Sequence, residues 1–119
     1  MFINHTNHLS ENWSDVQLRE AGKYGTIVDI PFPDIDPELD GREVAQLANQ
    51  KAEEIIAMKP DAVLCQGEFT YTFCLVQILK ARGIRVMAAC SRRVTQEYTD
   101  ENRNTRRVSV FEFVRFREY

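Results

Sequence analysis

The sequence predicts an α/β fold, a Rossmann-like three-layer sandwich around a mostly parallel five-stranded sheet. Two observations predict this fold. Short apolar runs typical of buried strands alternate along the chain with longer segments whose apolar residues recur at helical spacing. Three of the apolar runs are each followed by a short polar segment, as happens where parallel strands end at a ligand-binding edge. The 119 residues are expected to form one domain, spanning 1–119.

The first elements are predicted from short local patterns. Phe2–Asn4 predicts a first strand. Ser14 and Gln17 have the spacing of a capping box, so a helix is expected to begin there and to end near Gly25. The β-branched run Thr26–Ile30 predicts the second strand, which two following prolines end.

The middle of the chain is predicted to form a helix, a buried strand and another helix. After an acidic linker over residues 34–40, residues 41–58 carry apolar side chains at amphipathic spacing. The apolar run Ala62–Cys65 predicts a central strand covered on both faces. Residues 69–80 predict the third helix, which Gly83 ends.

The last third is predicted to form two strands separated by a loop. Ile84–Cys90 is apolar throughout and predicts the fourth strand, whereas residues 91–105 are expected to be a polar, partly mobile loop. Residues 108–116 predict a final strand, expected to be antiparallel because no helix pattern precedes it. The expected strand order is 2-1-3-4-5, with the switch point between the first and third strands.

Charge is unevenly distributed along the chain. Residues 1–81 carry six Lys or Arg against thirteen Asp or Glu, a net charge of −7, whereas residues 82–117 carry nine Arg against four acids, a net charge of +5. The acidic first part argues against binding to duplex DNA. Because the arginine fork matches phosphate oxygens, the second part favours a small anionic or RNA-like ligand, the alternative being a solvated face.

Location follows from hydropathy and cysteine content. No apolar run approaches the ~20 residues of a membrane span, and the N-terminus lacks the pattern of a signal peptide. The three cysteines form no C-x-x-C pair and are expected to be core residues in a reducing compartment. We therefore expect a soluble cytoplasmic protein that does not contact membranes.

Candidate binding residues lie in the polar segments and in the last strand. A glycine after a strand lets the backbone approach a ligand closely, and the start of the following helix offers N–H donors to an anion. The adjacent Arg92 and Arg93 would neutralise phosphate charge. Arg115 in the last strand would face a ligand, a subunit interface or solvent. The ligand-binding candidates are Asn4, Thr6, Asn7, Gln66, Gly67, Phe69, Thr70, Ser91 and Arg115.

Four residues are candidates for catalysis. Arg92 and Arg93 would stabilise charge on a phosphate. Glu68 would bond a ribose hydroxyl or take its proton, or would only stabilise a helix start. His5 would act as general acid or base, a role equally open to His8, and either imidazole could instead be solvated.

Several motifs are missing. The sequence has no G-x-G-x-x-G, no P-loop, no G-x-S-x-G and no H-E-x-x-H, so it predicts no dinucleotide, cofactor or metal site and no protein nucleophile. Two histidines three residues apart, without a third ligand, are a weak metal signal.

The segments Ile3–Thr6, Val63–Thr70 and Phe113–Tyr119 together resemble a known family. They are similar to the small stand-alone ring nucleases of type III CRISPR systems, in the CARF-related group. The resemblance implies a homodimer that binds a cyclic oligoadenylate, most often cyclic tetra-adenylate, and cuts it without metal. The ribose 2′-hydroxyl would attack the adjacent phosphate and leave a 2′,3′-cyclic phosphate, which switches off CRISPR signalling.

Three alternatives remain open at this level. A non-catalytic sponge or sensor would bind the same ligand and hold it. An unrelated nucleotide-processing enzyme could use the same flavodoxin-like scaffold, and a purely structural dimerisation domain would bind no nucleotide.

Overall fold

The computed structural model describes all 119 residues and has helices on both faces of a five-stranded sheet. The strands are β1 (Phe2–His5), β2 (Ile27–Asp29), β3 (Ala62–Cys65), β4 (Val86–Thr99) and β5 (Thr105–Glu118). The helices are α1 (Asp15–Gly22), α2 (Gly41–Ala57) and α3 (Phe69–Ala81), with a 3-10 turn at Ser10–Asn12. The strand order is β2-β1-β3-β4-β5, and only β5 runs antiparallel to its neighbour. The predicted fold class and strand order are confirmed.

Side-chain caps define where the helices begin. Ser14 accepts a hydrogen bond from the Gln17 N–H at 3.3 Å, as the spacing predicts. Asp40 and Glu43 bond each other's backbone N–H groups and form a complete capping box at the start of α2. No helix of the protein combines the length and the apolarity of a membrane span.

Strand alternation divides the core into two layers. Ile3 and Val63 pack under α2 and α3, whereas Phe2 and Leu64, one residue along each strand, pack on the other face with α1. Because α1 has only eight residues and is about 12 Å long, it leaves much of the sheet face on which it packs uncovered. The open part of that face lies beside the carboxyl ends of the parallel strands.

The predicted loop over residues 91–105 is wrong. β4 continues to Thr99 and pairs with β5 as far as the Thr99–Thr105 rung, with only a short turn between them. Beyond Ser91 no third strand flanks this hairpin, because β3 pairs with β4 only near Val86. We call residues 91–99 and 105–113 the ribbon.

The final strand predicted over residues 108–116 is present within β5, whereas the β4 half of the ribbon escaped prediction because most of its side chains are exposed and polar. The backbone ladder and the turn hold the ribbon together. The Asp100 carboxylate accepts hydrogen bonds from the backbone N–H groups of Asn102 and Asn104, both at 2.9 Å. It also forms an ion pair with Arg106 at 2.9 Å. A turn held by side-chain hydrogen bonds needs polar residues such as Asp and Asn. In the sequence, a run of such residues indicates a loop and does not reveal the strands on either side.

Candidate functional site

A crevice of about 860 Å³ opens at the carboxyl ends of β1 and β3 and beside the middle of β4, on the face that carries α1. Its walls are the loop after β1, the start of α1, the end of β3 and the base of the ribbon. The lining residues are Thr6, Asn7, His8, Asn12, Trp13, Ser14, Val16, Gln17, Leu64, Gln66, Gly67, Ala89, Ser91, Phe111, Glu112 and Phe113. The crevice therefore lies beside the switch point, where open α/β sheets bind ligands.

Five of the predicted ligand-binding residues line this crevice: Thr6, Asn7, Gln66, Gly67 and Ser91. They come from three different strands or strand ends, and the parallel order of the sheet brings them together.

Gln66 extends the sheet with its side chain. Its Oε1 accepts the Ala89 N–H at 2.8 Å, and its Nε2 donates to the Ala89 carbonyl at 3.5 Å. The amide thus replaces the backbone pairing that ends with β3 and is held rigidly on the crevice floor. The second Nε2 hydrogen remains for a ligand.

A buried network fixes the loop after β1. The Asn4 amide donates to Asp29 at 2.7 Å and to the His8 carbonyl at 2.8 Å, and its oxygen accepts the Thr6 hydroxyl at 2.8 Å. Asn4 is buried and fully engaged, so it positions the loop and has no surface for a ligand. The loop presents Asn7 and His8 to the crevice with no hydrogen bond on either side chain.

His5 is fully buried and lies outside the crevice. Its Nδ1 is 2.8 Å from the Ile30 carbonyl, which can only accept, so Nδ1 carries the hydrogen. Its Nε2 must then accept the Tyr71 hydroxyl at 2.8 Å. Burial lowers the pKa of His5 below 6.5, and the bond to Ile30 opposes this only in part. The imidazole is a neutral core group linking β1, β2 and α3.

The free energy of unfolding should decrease as the pH is lowered below about 6.5, because His5 is buried as a neutral imidazole. The unfolded imidazole takes up a proton near pH 6.5, whereas the folded one does so at lower pH. The unfolded state therefore binds more protons in between, so the stabilisation is full above pH 6.5 and is lost as pH falls through the lowered folded pKa. Urea unfolding at pH 7.5 and pH 5.5 should show it, and the exposed-site variant His8→Gln should keep the same trend. A midpoint that does not change over that range would contradict this role.

Glu68 caps α3. Its carboxylate accepts the N–H groups of Thr70 at 3.0 Å and Tyr71 at 2.9 Å, together with the Thr70 hydroxyl. These bonds, from Tyr71 first and then from the Thr70 side chain, lower the pKa of Glu68. Phe69 follows with 89% of its surface exposed, away from the crevice. Of the two roles predicted for Glu68, the structure supports helix stabilisation.

Glu68→Ala should destabilise the fold by about 1 kcal/mol, the usual cost of a lost N-cap. Glu101→Ala, which removes an exposed carboxylate in the ribbon turn, should change stability by less than about 0.5 kcal/mol. Urea unfolding of both variants measures the difference, and equal effects would show that the Glu68 cap contributes nothing.

The predicted arginines do not line the crevice. Arg92 and Arg93 lie within β4 rather than after it, so their expected place in a loop at the strand end is corrected. Arg93 pairs with Phe111 on the crevice side of the ribbon and donates to Ser109 at 3.2 Å. Arg92 lies on the opposite face, and so does Arg115, which pairs with Cys90. Only Arg93 is near the crevice.

Sequence reasoning missed the aromatic wall of the site. Trp13 stands at the start of α1, and Phe111 and Phe113 stand on β5, all three lining the crevice. Trp13 could have been identified from the sequence, because it is the only tryptophan of the chain and follows the polar segment after the first strand. The two phenylalanines gave no such signal, because their placement depends on the bulge at Cys90–Ser91, which shifts the register of β5.

The crevice has little formal charge. Among the lining residues only His8 and Glu112 are titratable, and the Glu112 side chain lies with Arg92 on the other face of the ribbon. Most of the other polar groups are amides and hydroxyls. No cluster of three His, Cys, Asp or Glu side chains is arranged to hold a metal ion anywhere in the chain. The lining can therefore donate and accept hydrogen bonds and stack against a planar group.

Comparison with known proteins gives a family and nothing more specific. The model of the Uncharacterized protein MJ1673 family matches residues 1–117. No curated protein and no solved structure matches the chain. Because the match covers nearly the whole sequence, the chain belongs to the MJ1673 family of uncharacterized proteins.

Proposed function

We propose that this protein binds a cyclic oligoadenylate in the crevice and opens the ring. One observation carries the proposal: neutral amides and aromatic rings converge at the carboxyl edge of a parallel sheet. Asn and Gln side chains match the donor and acceptor pattern of adenine, and aromatic faces stack on unpaired bases. Asn7, whose amide has no partner within the protein, would supply the paired donor and acceptor, Gln66 would add its remaining N–H, and Trp13 would stack.

Ring opening needs no protein nucleophile. The ribose 2′-oxygen forms a bond to the adjacent phosphorus while the bond from phosphorus to the 5′-oxygen breaks. The 2′-hydroxyl proton goes to a base and a proton is delivered to the 5′-oxygen, so the products are a 2′,3′-cyclic phosphate and a 5′-hydroxyl. The protein supplies in-line positioning and proton transfer.

His8 is the residue we assign to proton transfer. It is exposed at the crevice and its side chain has no hydrogen bond within the protein, so both ring nitrogens are available to a ligand. His5 and Glu68 are both engaged in structural bonds. Arg93 lies on the crevice side of the ribbon and is the nearest candidate for a phosphate oxygen.

The crevice of one chain would hold part of such a ring. In a homodimer, two-fold symmetry would present the same loops to each half of cyclic tetra-adenylate, as the family resemblance implies. Two cuts would then release two linear di-adenylates.

A second candidate is a protein that binds the ring and keeps it intact. The low formal charge of the crevice favours it, because no arginine lines the place where phosphate charge would develop. Both candidates use the same contacts to bases and riboses and differ only in the fate of the phosphodiester.

One experiment separates these candidates. The protein is incubated with cyclic tetra-adenylate in the presence of EDTA, and the products are resolved by chromatography and mass spectrometry. Linear di-adenylate ending in 2′,3′-cyclic phosphate supports the ring nuclease, and an intact ring with a raised melting temperature supports the binding protein. No binding of cyclic adenylates of any ring size, with turnover of mononucleotides instead, would overturn both.

A further inference from the structure

One face of the ribbon carries four apolar side chains among the polar and charged residues Arg92, Gln96, Arg106 and Glu112, and we call it the apolar face. On β4 and β5 the residues Val94 and Val110 form a cross-strand pair, and Val108 and Tyr98 follow on the same side. Their neighbours on the other side of the ribbon are mostly polar, such as Thr95, opposite Ser109. Period-two alternation of this kind is typical of a strand pair with one face covered.

Nothing in the chain covers that face. Val108 and Tyr98 are 42% and 55% exposed, and the ribbon extends past the body of a molecule whose longest dimension is 54 Å. A two-stranded hairpin alone is marginally stable in water, so an uncovered ribbon needs a partner surface.

The start of α3 adds two exposed aromatic rings on the same side of the sheet. Phe69 and Phe73, one helical turn apart, are 89% and 64% exposed. The apolar face of the ribbon is on the side of α2 and α3, because Ser91 and Arg93 face the crevice and their neighbours point away from it. We call Phe69, Phe73, Val94, Tyr98, Val108 and Val110 the docking face.

The area of the docking face suits a protein partner. A nine-residue ribbon measures about 30 Å by 10 Å and gives roughly 300 Å². The two aromatic side chains add up to about 150–250 Å² each. The sum approaches the ~800 Å² that each partner contributes to a standard interface.

Charge favours a second copy of this chain as that partner. The acidic segment 34–40 lies next to the start of α3, since Asp34 and Glu68 line one small pocket. None of the four acids in that segment forms an ion pair, and neither does Arg92 of the ribbon or Arg103 in the turn that joins β4 to β5. A ribbon laid on the start of α3 in another copy would place unpaired arginines near unpaired acids.

We propose that the apolar face of each ribbon docks on Phe69 and Phe73 of a second copy, in a two-fold symmetric dimer. Such an exchange is isologous, because each copy gives its ribbon and receives the other's on the same surface. The proposal rests on exposed side chains and charge, and does not depend on ring cleavage or on any nucleotide.

Light scattering and sedimentation of the full chain, without nucleotide, test the proposal. The wild type should sediment at twice the 13.8 kDa chain mass and dissociate on dilution. Val94→Glu and Phe73→Ser should each raise the dissociation constant by about tenfold or more. Thr95→Glu, which puts the same charge on the other face of the ribbon, should leave it within about threefold.

A monomeric wild type at every concentration would overturn the proposal, and so would equal effects of Val94→Glu and Thr95→Glu. Hydrogen exchange in the wild type keeps the test valid if a variant does not fold. Amides 94–110 should be protected at high concentration and lose protection on dilution. Protection that does not depend on concentration would also overturn it. Since no nucleotide is present, neither result bears on ring cleavage.

Discussion

Replacing His8 by alanine is expected to slow ring opening by about 10²–10⁴-fold, the usual contribution of a positioned general acid or base. The imidazole is the only histidine at the crevice, while His5 is buried in the core and bonded at both nitrogens. Cleavage of cyclic tetra-adenylate, followed by chromatography under single-turnover conditions, measures the loss.

Binding should survive the same change. Asn7, Gln66 and Trp13 still line the crevice in this variant, so the melting-temperature rise with cyclic tetra-adenylate should be nearly that of the wild type. Lys59→Ala, in the turn that precedes β3 at the opposite edge of the sheet from the crevice, is the matched control and should change neither quantity. Unchanged cleavage by His8→Ala would remove His8 from the mechanism, and loss of both activities would assign it to binding instead.

Gly67→Ala should destabilise the fold by about 1–3 kcal/mol, the cost of overpacking. A Cβ on Gly67 would come closer than 3.0 Å to three ring carbons of Phe32. That ring packs edge-on against Tyr71, with 5.1 Å between ring centroids, and against His5 at 5.2 Å, so it cannot withdraw without disturbing the aromatic group. Urea unfolding reports the change directly.

Two further variants make the test specific. Gly41→Ala adds the same methyl group where nothing lies within 4 Å, and it should be neutral or stabilising by up to about 1 kcal/mol. In a Phe32→Leu background, Gly67→Ala should cost at least about 0.5 kcal/mol less than in the wild type, because the two positions are coupled. Additive effects would show that the Phe32 ring does not limit the site.

The sheet could be predicted because its strands are buried. Ala62–Cys65 is covered on both faces and is therefore apolar at every position, a pattern that hydropathy detects. The helix cap at Ser14 was predicted because it depends on hydrogen bonding within four residues, whereas the Asp40 cap follows the same local rule but lies in the segment that the sequence predicts only as an acidic linker. The topological rule for parallel sheets then placed Asn7, Gln66 and Gly67 at one edge correctly.

The ribbon and the arginines could not be placed in the same way. A strand pair outside the core is held by backbone bonds that any sequence can make, so β4 beyond Ser91 looks like a loop. Arg92 and Arg93 lie within a strand, so their side chains point to opposite faces of the ribbon. Which of the two faces the crevice depends on the strand register, which composition does not reveal. The buried roles of Asn4 and His5 also needed three dimensions, because their partners Asp29 and Tyr71 are distant in sequence.

Cys65 ends the central strand, and its environment makes it a natural reporter of native-state opening. The residue is fully buried, burial raises its pKa to about 12, and the Tyr119 hydroxyl donates to its carbonyl at 2.7 Å. Alkylating reagents attack thiolates, so Cys74 and Cys90, which are partly accessible, should be modified first. The rate of the slow third modification then measures how often the centre of the sheet becomes exposed. A ligand bound in the crevice at the end of β3 should slow that modification.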